Sequence, residues 1–148
     1  MRITKDSLVL LKEWIKKEWN YKEGIYKGYK YKILRHKNLG QLNWYILLPK
    51  THKYYWKDYD DINIKVHWWL TYSWQEKDYW KIGFDCWHCD DLCPYVIESL
   101  MNGENYIDYS DWTYKDIKFV KAECKRLIGQ LQMNWFDKLK YLLFKKLK

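Results

Sequence analysis

The sequence lacks several features, and each absence excludes a class of protein. It has no apolar run near the roughly 18 residues that a membrane span needs, so we expect no membrane partner. It has only 2 Pro, no Pro- or Ser-rich linker and no internal repeat, so its 148 residues are expected to form a single domain. Residues 1–19 carry charges among their apolar positions and no small-residue cleavage site, which is not typical of a signal peptide.

Arginine is also scarce. The net charge is +8, from 27 Lys and Arg against 19 Asp and Glu, but the only Arg residues are Arg2, Arg35 and Arg126. Lys is a strongly hydrated point charge, whereas Arg recognises phosphates and bases through paired hydrogen bonds. The charge therefore favours general attraction to anions over sequence-specific reading of DNA.

Aromatic residues are abundant, at 20% of the chain with 15 Tyr and 11 Trp. Disordered chains are poor in such residues, so we expect a packed core. At 29–32 and 53–57 the rings alternate or mix with Lys, a pattern that suits stacking on a base while ammonium groups meet phosphate. The alternative is an aromatic core with solvated lysines.

The apolar periodicity predicts an α+β fold with one domain: a mostly antiparallel sheet of about four strands, with an N-terminal helix and two C-terminal helices packed on it. The predicted segments are the N-terminal helix within residues 1–24, the sheet at 28–86, a loop or short helix at 87–113 and the C-terminal helices at 114–148. Within the sheet, period-two patterns predict strands at 28–35, 41–48, 66–74 and 79–86.

The last two predicted strands form a hairpin with a polar turn at 75–78. If Trp74 faces Tyr79, His67 lies opposite Cys86. A slip of one residue would reverse every side chain, so this register is a hypothesis.

Groups that can ligate, titrate or attack are concentrated in residues 66–94, which hold three of the four Cys, two of the four His and five of the eleven Trp. One hypothesis is a zinc site formed by Cys86, His88, Cys89 and Cys93, an N/S ligand set that His67 or Asp91 could also complete. The spacing is tight for zinc, so the main expectation is no cofactor and no metal, with zinc as the alternative. Three other interpretations remain open for Cys86: it forms a CxxC redox pair with Cys89, it is a nucleophile with a His base, or it is a buried thiol on a strand.

This stretch resembles a family of small uncharacterised phage and prophage proteins. The family pattern reads VHGGLTYS, then WxGFDCAHxGD, then VKxECxxLxxQL, and this chain has VHWWLTYS at 66–73, WKIGFDCWHCDD at 80–91 and VKAEC at 120–124. The resemblance covers residues 28–132. The resemblance implies a phage-encoded accessory protein and does not imply any catalysed reaction.

The resemblance carries over six positions: His67, Thr71, Asp85, Cys86, His88 and Asp91. The chain departs from the pattern where tryptophans replace the small residues at 68, 69 and 87. A family pocket at this place is therefore expected to be remade as a stacking surface.

The leading hypothesis is a phage or prophage counter-defence protein, in the host cytoplasm, that sequesters an anionic nucleotide-like ligand. We expect Trp68, Trp69 or Trp87 to stack on the base, and His67, Thr71, Asp85, His88 and Asp91 to supply hydrogen bonds. We expect Lys30, Lys32 or Arg35 to meet phosphate.

Two alternatives stay open. The first is an anti-CRISPR-like inhibitor that binds a host defence protein, and the second is a metal- or thiol-dependent enzyme centred on His67, Asp85, Cys86 and His88. An enzyme is the less favoured reading, and a homo-oligomer is compatible with each of them.

Overall fold

A five-stranded antiparallel sheet lies at the centre of the computed structural model, which describes residues 5–96 and 111–132. The helices are α1 (Lys5–Lys17) and α2 (Ile117–Gln132), with a 3-10 turn at Tyr59–Asp61. The strands are β1 (Tyr21–Tyr26), β2 (Tyr29–Arg35), β3 (Leu42–Pro49), β4 (Tyr72–Glu76) and β5 (Tyr79–Asp85), and their order in the sheet is β1-β2-β3-β5-β4. The predicted α+β class with one domain is confirmed, with five strands where about four were expected.

One face of the sheet forms the core because alternate residues of each strand point to the same side. Trp44 pairs with Phe84, and Ile46 pairs with Ile82, all four almost fully buried. Helix α2 covers them with an apolar stripe of Val120, Cys124, Leu127, Ile128 and Leu131. Each large apolar side chain buried in this way contributes about 1.5–3 kcal/mol.

An irregular segment between β3 and β4 completes the core with Ile62, Ile64, Val66 and Leu70. The strand predicted at 66–74 is therefore wrong in its first half, since β4 begins at Tyr72. The reason is a bend at Trp68, whose φ of 57° lies in the left-handed region and interrupts an extended chain. Residues 62–70 show the apolar alternation of a strand. Their apolar side chains are buried in the core, but their backbone does not pair with a neighbouring strand.

The register predicted for the last hairpin is wrong by two residues. Glu76 faces Tyr79 across a two-residue turn at 77–78, and Tyr72 faces Gly83. Because the shift is an even number, the side chains of the paired residues 72–76 and 79–83 keep their predicted faces.

The predicted N-terminal segment is also corrected, because α1 ends at Lys17 and Tyr21–Tyr26 is an edge strand. Lys27 (φ 48°) and Gly28 (φ 83°) join it to β2, which is the left-handed pair that a type I′ hairpin turn requires. Strand β1 alternates between exposed and half-buried residues, so it has no apolar face that a pattern search would detect.

A buried ion pair between Arg35 of β2 and Glu18, just after α1, ties the first helix to the sheet. Arg35 Nη2 donates to Glu18 Oε2 at 2.7 Å, and the Tyr114 hydroxyl donates to the same oxygen at 2.7 Å. Arg35 also donates to Asn20 Oδ1, to the Gly40 carbonyl and to the Tyr114 oxygen. We call these five residues the Arg35 network.

Two predicted elements lie wholly or mostly outside the described residues: the second of the helices expected within 114–148, and the short helix expected within 87–113, of which only 94–96 are described as helical. Within 5–96 and 111–132, neither α1 nor α2 is long and apolar enough to cross a membrane.

Candidate functional site

A carboxylate buried beside two histidines is the most unusual feature of the molecule. Asp91 is only 1% exposed, and His67 Nε2 lies 2.9 Å from Asp91 Oδ1 and 2.8 Å from Oδ2. His88 also contacts this carboxylate, with its backbone N–H donating to Asp91 Oδ2 at 3.1 Å. We call His67, His88 and Asp91 the His–Asp cluster.

The chain holds Asp91 in place from both sides. Its own N–H donates to the His88 carbonyl at 3.0 Å, which closes a tight turn in which Asp90 has a φ of 70°. Asp91 also forms an isolated parallel bridge with Thr113, through Leu92 N–H to the Thr113 carbonyl and Thr113 N–H to the Asp90 carbonyl. The cluster is therefore fixed by backbone pairing between segments that are far apart in sequence.

Charge around Asp91 keeps its carboxyl ionised. Burial raises its pKa, but the hydrogen bond and charge of His67, the His88 N–H and the Lys115 ammonium outweigh burial and lower the pKa below its ordinary value. Lys115 Nζ lies 3.4 Å from Asp91 Oδ1. The site thus contains a stable buried anion with cationic and polar neighbours.

The His88 ring is buried but incompletely bonded. Its side chain is 9% exposed, and its Nδ1 lies 3.4 Å from Asp91 Oδ2 without forming a hydrogen bond to any described residue. Buried nitrogens without partners are rare in native proteins, and each costs about 1–3 kcal/mol. His88 Nδ1 is therefore a buried ligand atom that has no hydrogen bond among the described residues.

A cleft of about 640 Å³ opens above His88, and we call it the tryptophan cleft. It is lined by Trp68, Trp69, Trp87, His88, Cys89, Asp90 and Trp112. Trp68 stacks on the His88 ring, with planes 18° apart and centroids 5.9 Å apart, and Trp69 meets that ring edge-on. Trp68, Trp69 and Trp87 are each about half exposed or more, so large apolar rings face solvent in a concave site.

A second hydrogen-bonded pair adjoins the cluster. Thr71 Oγ1 donates to Asp85 Oδ2 at 2.8 Å, while Asp85 Oδ1 accepts from Trp87 N–H at 3.0 Å and lies 3.9 Å from His88 Nδ1. Asp85 is held at the end of β5 by these bonds, which explains how a carboxylate is tolerated there. Thr71, Asp85 and Trp87 also line a smaller depression of about 240 Å³.

The structure brings together most of the predicted site residues. His67, His88 and Asp91 are in direct contact, Thr71 and Asp85 adjoin them, and the three predicted tryptophans line the cleft. The six positions taken from the family resemblance therefore lie in one neighbourhood, although the sequence separates their ends by 24 residues.

The residues expected to meet phosphate lie elsewhere. Arg35 is saturated within the Arg35 network. Lys32 pairs with Glu76, and Lys30 lies over the Tyr79 ring, both beside a separate depression of about 360 Å³ on the sheet face opposite the core. Among the described residues, no Lys or Arg lines the tryptophan cleft.

The cysteines differ in exposure and are not part of the His–Asp cluster. Burial, together with the charges of Asp91 and Asp85, raises the pKa of Cys86 well above its ordinary value, and burial raises that of Cys93 to about 12. Both thiols are thus held protonated, which disfavours a Cys86 nucleophile. Cys89 is exposed at the cleft, and the four cysteines are free.

Among the described residues, the group able to hold a metal ion is the His–Asp cluster, whose ligand atoms all lie within 4.8 Å of one another. The zinc site predicted as an alternative from the sequence consists of Cys86, His88, Cys89 and Cys93, with His67 or Asp91 able to complete it. The structure retains His88 and offers His67 and Asp91 as its neighbours.

Three contributors to the site were missed: Trp112, Lys115 and Phe119. Phe119 packs edge-on against the His67 ring with centroids 5.0 Å apart, and Lys115 reaches Asp91. All three precede or begin α2, and they reach the site through the bridge between Asp91 and Thr113. Long-range pairing of this kind leaves no local signal in the sequence.

The chain matches no protein-family model, no curated protein and no solved structure.

Proposed function

We propose that this protein binds a ligand with a planar heteroaromatic ring, such as a nucleotide base, in the tryptophan cleft, and sequesters it without chemical change. The observation that carries the proposal is the set of half-exposed indoles around His88 in one concave site. Stacking of a base on an aromatic side chain contributes about 1–3 kcal/mol and needs no particular base sequence.

Backbone strain supports a binding role for Trp68. Its φ of 57° is a conformation that side chains other than Gly rarely adopt, and it costs about 1–2 kcal/mol. Strain of this size persists only where the surrounding structure holds it in place, and ligand sites are one location where it is found. The strained bend projects the indole onto the His88 ring and into the cleft.

The wider role follows from the family resemblance and the charge. A phage or prophage protein that sequesters a nucleotide signal in the host cytoplasm would counter a defence pathway, and the net charge of +8 would draw an anionic ligand by long-range attraction. Direct phosphate contact by Lys30, Lys32 or Arg35 is not part of this proposal, because those residues lie away from the cleft.

The chain offers a matched pair of variants for the test. Trp68→Gly removes the stacking ring and leaves a residue that adopts positive φ without strain. Trp56→Gly removes another exposed indole, at a φ of 67°, from a position outside the cleft lining. Both variants should fold, so a loss of binding cannot be attributed to unfolding.

Equilibrium dialysis with adenosine monophosphate and with a cyclic dinucleotide tests the proposal. We expect the wild type and Trp56→Gly to retain at least one of them, and Trp68→Gly to bind about 5- to 150-fold more weakly. Equal affinity in Trp68→Gly and the wild type, or no retention by the wild type, would overturn the proposal.

A further inference from the structure

We propose that the His–Asp cluster is a binding site for a divalent transition metal, with Zn²⁺ as the ion best suited to its ligands. Imidazole nitrogens and a carboxylate oxygen are ligands that Zn²⁺ uses in proteins, and two His with one carboxylate is a set found in catalytic zinc sites. The cluster supplies these three groups from the bend before β4 and the turn after β5.

One of the ligand-atom distances already matches a formed site, and all three ligand atoms lie within 4.8 Å of one another. Zinc bonds of about 2.0–2.2 Å in a tetrahedral arrangement separate the ligand atoms by about 3.3–3.6 Å. His88 Nδ1 and Asp91 Oδ2 are 3.4 Å apart, while His67 Nε2 is 2.8 Å from the same oxygen. The ion would therefore need His67 to withdraw by roughly half an ångström.

His88 gives independent support. Its Nδ1 is nine-tenths buried, has no hydrogen-bond partner among the described residues and points toward Asp91. A metal ion would satisfy this nitrogen and remove the cost of leaving it unpaired. The His88 N–H bond to Asp91 Oδ2 meanwhile fixes the carboxylate, as hydrogen bonds to ligating groups do in established metal sites.

The positive charge of Lys115 should weaken metal binding at the cluster. Its ammonium is 3.4 Å from Asp91 Oδ1 and contacts the Thr113 hydroxyl, so it occupies the carboxylate edge farther from His88. Two cations on one carboxylate repel each other, and metal binding would displace Lys115 toward solvent. Removing this charge should tighten metal binding, a result that a purely structural His–Asp pair would not produce.

A bound metal would also supply the positive charge that the tryptophan cleft needs to hold an anionic ligand. This step rests on the proposed function. The part of the cleft lining that the structure describes has Asp90 but no Lys or Arg, so these residues attract anions poorly by themselves. Three protein ligands leave a zinc ion one coordination position for a water or a ligand oxygen. Because His88 belongs to both the cluster and the cleft, the ion would lie where a phosphate oxygen of a stacked nucleotide could reach it.

Isothermal titration of Zn²⁺ into chelator-treated protein tests the site without any nucleotide. We expect one ion per chain in the wild type and in Cys89→Ser. His88→Phe and Asp91→Asn should lose more affinity than the roughly 10- to 100-fold that removal of a supporting hydrogen bond costs. Lys115→Met should bind zinc more tightly, while Lys118→Met, which removes the same charge from an exposed position on α2, should not.

Cobalt substitution identifies the ligands. Nitrogen and oxygen ligands give a tetrahedral Co²⁺ spectrum without a thiolate charge-transfer band, and we expect that result. A thiolate band, loss of zinc in Cys89→Ser, or unchanged zinc affinity in a folded His88→Phe would overturn the metal assignment. Zinc binding without nucleotide retention would support the metal site and refute the proposed function. Nucleotide retention without zinc binding would support the proposed function and refute the metal site.

Discussion

Two buried polar clusters lie among the residues that the structure describes, and they differ in how completely their hydrogen bonds are satisfied. In the Arg35 network, Arg35 and Glu18 are 4% and 7% exposed, and each guanidinium nitrogen has a partner. In the His–Asp cluster, burial is similar but His88 Nδ1 has no hydrogen bond among the described residues. The first joins α1, β2 and the start of α2, whereas the second lies under a cleft of exposed tryptophans.

The difference separates a structural cluster from a candidate site. A saturated buried network has nothing left to offer a ligand, and breaking it leaves an uncompensated charge. An unsaturated cluster beside a strained backbone bend lowers the stability of the free protein, and a ligand can recover that loss. Burial alone would not have distinguished the two clusters.

The largest expected effect comes from breaking the saturated cluster. Glu18→Ala should lower the free energy of unfolding by about 3–5 kcal/mol, because Arg35 would remain buried without its counter-charge. Urea unfolding followed by circular dichroism measures this. Glu13→Ala, which removes an exposed partner of Lys16 on α1, is the control and should leave the midpoint unchanged. A loss below about 1 kcal/mol in Glu18→Ala would show that the network is not structural.

Smaller effects on stability are expected when one polar group is removed from each cluster. Tyr114→Phe removes a hydroxyl that donates to Glu18 and accepts from Arg35, and it should cost about 1.5–3 kcal/mol. His88→Phe removes a buried nitrogen that has no partner among the described residues, keeps an aromatic partner for Trp68, and should not lower the stability of the chelator-treated protein. Equal losses in chelator-treated protein would contradict the distinction between the clusters.

The smallest effect belongs to a third, partly exposed cluster on the sheet face opposite the core. Hydrogen bonds from Lys32 and Lys81 lower the pKa of Glu76, so its stabilising effect is present above the ordinary value of 4.5 and is lost as pH falls through the folded value. Glu76→Gln should therefore cost less than about 1 kcal/mol at neutral pH. Thermal unfolding as a function of pH should show the variant and the wild type converging below about 4.5; a gap that widens in acid would contradict the assignment.

Much of the fold was readable from the sequence because its strongest patterns come from burial on one face. The alternation in β3 and β5 and the stripe on α2 each point to the core, and all three were predicted. Strand β1 was missed because it buries no continuous face. The region around Trp68 was misassigned because an irregular segment can bury alternate residues without pairing, and only the backbone reveals the bend.

The residues of the site that lie close to the β4–β5 hairpin in the sequence were predictable. His67, Trp68 and Trp69 lie before β4, and Asp85, His88 and Asp91 end or follow β5, so the adjacency of the two strands brings them together. Lys115 and Phe119 were not predictable, because they depend on the pairing of Asp91 with Thr113. The placement of Arg35 in a saturated network was equally hidden, since its four partners come from three separate segments: residues 18–20, Gly40 and Tyr114.

Native mass spectrometry of protein purified without chelators, with wild type and His88→Phe side by side, tests the central claim most directly. The claim is that the unsaturated His–Asp cluster and the tryptophan cleft above it form a ligand site. We predict that the wild-type chain carries added mass, either a zinc ion or a zinc ion with a nucleotide, and that His88→Phe does not. A wild-type chain with no added mass, or the same added mass in both proteins, would contradict the claim.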